Sequence, residues 1–199
     1  MIYDFRFMIL DYLISYCFFG FGIYTIVFLV LKRYSSFKEK TVFLKFDNAA
    51  LTTVIIAGII YLLLWIYHII YFYQNANPED IHNFQNRISG KYWYGYWFQP
   101  LSYVIASQLL WFKHFQISTF FRLILGLLLL FNVEKFVIFI TSLQRDYLPS
   151  SWSMYSDDIF GILFLDGFLK TLIFVFFAVI VYFLKNKISV NLKRKKLLI

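Results

Sequence analysis

The chain has 199 residues, of which 61% are hydrophobic, 24% aromatic and only 15% charged, with a formal net charge of +8. A soluble domain is roughly 45–50% apolar and roughly 25% charged, so a water-soluble fold of this size cannot hide so much apolar surface. Disorder, a collagen repeat and a disulfide scaffold are excluded too, since there are 8 Gly, 3 Pro and 1 Cys.

An integral membrane protein remains. Backbone polar groups in hydrocarbon must be satisfied internally, by helices or by a closed barrel. Barrel strands alternate apolar and polar residues over about 10 positions. This chain shows instead long apolar blocks near the roughly 20 residues a helix needs to cross a bilayer. The expected fold class is therefore an all-α integral membrane protein, a single transmembrane domain over residues 1–199.

In chain order, the predicted spans are 12–31, 49–73, 93–112, 117–142 and 159–184. The first is too long for a cleaved signal peptide, is not preceded by a basic flank and ends in Leu31-Lys32-Arg33. Asp47-Asn48, Ser118-Thr119 and Asp157-Asp158 offer side-chain oxygens that cap helix starts. The third block is more polar and carries Pro100. The alternative is four spans, with that block as a re-entrant or interfacial segment.

Alternating five spans places thirteen basic residues on one face and four on the other. The positive-inside rule then sets the N-terminus outside and the C-terminus in the cytoplasm. Residues 185–199 form a basic cytoplasmic tail, expected to lie on anionic lipid. That location accounts for the positive charge better than nucleic-acid binding does.

Ionisable groups inside spans are costly and are functional candidates by default. Glu134, Lys135, Asp166 and Lys170 are expected to form an intramembrane charge cluster in the outer half of the fourth and fifth spans, leaving the cytoplasmic half nearly bare apart from Arg122, Ser107 and Gln108. Asp166 precedes Lys170 by four residues, the favourable order for a pair on one helix face. Such a cluster either fixes helix register or serves ions.

Further candidates for ligand or partner contact are His68, Trp93, Trp97, Arg145, Asp146 and Trp152. Trp93 and Trp97 belong to a run of aromatics suited to headgroup depth. The outer loop 144–152 mixes opposite charges with a proline and a tryptophan. His68, His82 and His114 fall at unmatched depths, which opposes a bis-histidine haem, and no metal-ligand spacing occurs. No cofactor or metal is expected. No phosphate loop, nucleophile elbow or zinc motif is present, so no catalytic residue is assigned.

These features point first to a non-catalytic membrane subunit of a larger bacterial inner-membrane assembly. Its partners would be the bilayer and a protein met through helix faces and the 144–152 loop. The alternatives are a small ion- or proton-coupled transporter or channel using the charge cluster, and an intramembrane enzyme acting on lipid at the outer leaflet.

Overall fold

The computed structural model describes residues 5–33, 41–91, 93–132 and 159–196. Its described residues are almost all helical and include no strand. The first helical column is α1 (Phe5–Tyr12), a π-helical segment (Leu13–Phe18) and α2 (Phe19–Arg33). Then follow α3 (Thr41–Asn75), α4 (Pro78–Ser89), α5 (Trp93–Leu109), α6 (Lys113–Ile117), α7 (Thr119–Leu130) and α8 (Ile159–Lys196). Among the described residues, three stretches are long and apolar enough to cross a membrane: Ile9–Arg33, Thr41–Asn75 and Leu165–Ile188.

Several elements differ from the sequence-based expectation. The second helix begins at Thr41, eight residues early, so Asp47 and Asn48 lie inside it and cap nothing. Ser118 stands at the N-cap of α7, but its side chain makes no capping bond; Asp157 and Asp158 lie outside the described residues. The fourth block is not one helix: α7 stops at Leu130, and Phe131 is extended. A broken helix is tolerated inside a membrane only where its freed backbone groups find partners. Here the Phe131 carbonyl accepts a hydrogen bond from the Tyr103 hydroxyl at 3.1 Å. The fifth helix continues past the apolar block through the basic segment to Lys196. At a rise of 1.5 Å per residue it is about 57 Å long.

Helix directions follow from the paired residues. Phe28 stacks on Phe43 and Phe18 meets Tyr61, so α2 and α3 are antiparallel. Trp97 meets Trp65 while Gln108 bonds to Ile55, so α5 opposes α3. Phe46 meets Tyr182, and Lys185 bonds to Asn48. α2, α8, α3, α5 and α7 pack in a circuit, each on the next. The C-terminal ends of α2 and α8 and the N-terminal ends of α3 and α7 therefore share one end of the bundle, which carries Lys32, Arg33, Lys45, Lys113, Lys185 and Lys187.

The core is aromatic. Phe18, Phe21, Phe28, Tyr103 and Phe174 are all nearly inaccessible. Their ring contacts include Phe18 on Tyr103 at 5.1 Å and Phe21 edge-on to Phe174 at 5.7 Å. Helices in lipid gain little from hydrophobic burial and associate through close packing and interhelical hydrogen bonds. Gly22 illustrates the first: a Cβ there would lie 2.6 Å from Leu130 Cβ and 2.8 Å from the Gly126 carbonyl. Gly58 does the same between α3 and α5, where a Cβ would fall 2.0 Å from Ser107 Oγ.

Candidate functional site: a buried ion pair at the basic end

Three chain segments deliver polar groups to one interior point. Asp47 comes from the second turn of α3, Arg122 from the first turn of α7 and Tyr24 from the middle of α2. Arg122 is 2% exposed and Asp47 is 7% exposed. Arg122 Nη1 donates to Asp47 Oδ2 at 2.8 Å, and Nη2 donates to Oδ1. Tyr24 also donates its hydroxyl proton to Oδ1, at 3.2 Å. The guanidinium lies over the Phe28 ring, its Cζ 4.1 Å from the centroid.

The arrangement satisfies a charge that lipid would not tolerate. The planar guanidinium fork matches a carboxylate at two points, and the ring below replaces water on one face. Taking two charges out of water costs several kcal/mol per ion, roughly repaid by this geometry. Arg122 Nε, within the pair, and Thr25 Oγ1, on α2 next to Gly126, are buried and have no hydrogen-bond partner among the described residues.

Arg122, the charged exception in an otherwise nearly bare half of the expected spans, acquires a partner, Asp47, that the sequence offers as a helix cap. At the basic end of the bundle both members of a charge pair are buried. Asp47 reads as a helix cap, and Arg122 reads as a loop-flanking cation, as long as each is considered on its own segment. The available signal was that Asp47, two residues before the second predicted span, and Arg122, five residues into the fourth, stand at the same end of their blocks.

Of the expected cluster, Glu134 and Lys135 lie outside the described residues. Lys170 Nζ pairs with Asp166 one turn earlier on α8. Lys170 is largely covered and sits 5.2 Å from the Phe19 ring centroid, whereas the Asp166 side chain is 52% exposed. Arg145, Asp146, Trp152 and the 144–152 loop also lie outside the described residues.

The aromatic run has a structural use. Trp97 donates its indole N–H to the Ile88 carbonyl at 2.9 Å and packs edge-on against Trp65. Tyr96 packs on Phe84 at 5.6 Å. Together they pin α4, an amphipathic helix, against α3 and α5. Trp93 begins α5 and is exposed. His68 is half-buried on α3, His82 Nδ1 lies 3.3 Å from Asn86 Nδ2 on α4, and His114 sits on α6 against Phe115 and Phe121. The three occupy separate elements. Among the described residues no cluster of three metal-ligating side chains occurs.

A second polar chain links α5 to its neighbours. Gln99 donates to the Tyr103 hydroxyl at 3.0 Å, and that hydroxyl donates in turn to Phe131. Gln108 donates to the Ile55 carbonyl at 3.2 Å and accepts from the Trp111 indole at 2.9 Å. These bonds tie helices together and present no nucleophile beside a base. The chain matches no protein-family model, and no curated protein is similar to it in sequence.

Proposed function

We propose that this protein is a non-catalytic subunit or accessory component of a larger inner-membrane assembly, spanning the bilayer five times with its N-terminus outside. The alternating helix directions and the gathering of basic side chains at one end support that orientation. The observation that carries the subunit reading is Asp166. Its carboxylate is half-exposed on a face of α8 that also presents Leu165, Phe168, Leu169 and Leu172. Even paired with Lys170, a carboxylate half-exposed to acyl chains is costly, and membrane proteins direct such groups toward protein or water. A partner helix seated on α8 covers both the carboxylate and the apolar side chains.

Transport through this chain alone fits less well. The middle of the bundle, between the Asp47–Arg122 pair and the opposite end, is filled by Phe18, Phe21, Tyr61 and Tyr103. The test is a photo-crosslinking residue at Leu169, with Ile66 on α3 as the control. The subunit reading expects one adduct of constant mass from Leu169 in membranes at native expression. A homogeneous particle of this chain alone in mild detergent, with no adduct, overturns it.

A further inference from the structure

A cavity of about 650 Å³ lies between the α1–π column, α3 and α8. Its walls are almost wholly apolar, formed among others by Leu13, Ile56, Ile60, Phe177 and Ile180. Four of these, Ile56, Ile60, Phe177 and Ile180, are also exposed on the outside of the bundle. The cavity is therefore a lateral groove, open to whatever surrounds the helices. Its volume falls within the range of about 300–1,000 Å³ usual for small-molecule sites.

One end of the groove leads toward a cation. Thr53 and Val181 line it. One helical turn beyond Val181 on α8, Lys185 crosses to α3. Its ammonium donates to the Asn48 carbonyl at 3.3 Å, to Asn48 Oδ1 at 3.1 Å and to Thr52 Oγ1. All three acceptors are neutral oxygens, so Lys185 is fixed in place with its positive charge uncompensated by them. The other end of the groove carries the stacked Tyr12 and Tyr16 rings, 5.4 Å apart.

We infer that the groove holds one acyl chain of an anionic phospholipid, whose phosphate rests on Lys185. Charge complementarity selects the headgroup: a lysine held by neutral oxygens at the edge of an apolar slot favours a negative group over a zwitterion. The apolar lining selects the chain, and the lateral opening admits it from the bilayer without passage through water. The occupant is a lipid and its retention is read on the chain alone, so failure of this inference and failure of the subunit reading are distinguishable.

The test uses the full-length chain, delipidated in detergent and then exposed to phosphatidylglycerol or phosphatidylcholine. Retained lipid is counted by native mass spectrometry. The expected result is one retained phosphatidylglycerol per chain, preferred over phosphatidylcholine. Lys185→Gln reduces that preference about fivefold, the effect of one cation near a charged surface. Ile60→Trp fills the groove from an exposed position and abolishes retention, while circular dichroism and the melting midpoint stay close to the parent values. Replacing Lys193, Arg194, Lys195 and Lys196 by Gln leaves retention unchanged. Equal binding of the two lipids, full retention in Ile60→Trp, or loss on neutralising the distal tail instead of Lys185 overturns the inference.

Discussion

Asp47 and Arg122 lie 75 residues apart in the chain and meet as a two-point ion pair inside the bundle. Through it the second turn of α3 grips the first turn of α7, and Tyr24 of α2 completes the contact from the third side. Three helices that would otherwise be held by van der Waals packing share one polar anchor.

Breaking that anchor one-sidedly leaves a buried charge alone. Asp47→Asn and Arg122→Gln are each expected to destabilise the protein by about 3–5 kcal/mol. The double variant should lose much less than the sum of the two, because neither charge is then stranded. A double-mutant cycle of unfolding in mixed micelles measures this. Additive losses would show that the pair is not coupled.

Tyr24→Phe removes one hydrogen bond to the Asp47 carboxylate and no ring packing. The expected loss is about 1.5–3 kcal/mol, the range for a bond to a charged group. The same substitution made on top of Asp47→Leu should cost little, since the acceptor is already gone. A full-sized loss in both backgrounds would place the role of Tyr24 elsewhere.

Close helix approach makes two glycines sensitive and a third indifferent. Gly22→Ala and Gly58→Ala push a methyl into Leu130 and Ser107, and each is expected to cost about 1–3 kcal/mol. Gly95 on α5 has nothing within 4 Å of such a methyl. Gly95→Ala should be neutral or stabilise by up to about 1 kcal/mol through helix propensity. Thermal midpoints of the three variants give the ranking directly.

Trp97→Phe keeps the ring contact with Trp65 and deletes the bond to the Ile88 carbonyl. Hydrogen exchange over α4 is expected to accelerate, while the core of α3 stays protected, because only the clasp on α4 is lost. Uniform acceleration across both helices would mean that α4 is held by something other than this indole.

The amino-acid sequence by itself determined the solvent. Apolar content and block length are sums over neighbouring residues, so they are legible without any fold: helices, membrane, and a basic end all follow from them. The Asp166–Lys170 pair is legible for the same reason, because four residues is a local distance on a helix. The stop at Leu130 was hidden, since no proline or glycine marks it and its freed carbonyl is satisfied by Tyr103 from another helix. The ion pair was hidden more deeply. Asp47 resembles a cap and Arg122 a flanking cation until the second turn of α3 and the first turn of α7 come together. Only the tertiary structure decides that juxtaposition, because the energy of a charge in a membrane depends on what lies across from it and not on what precedes it in the chain.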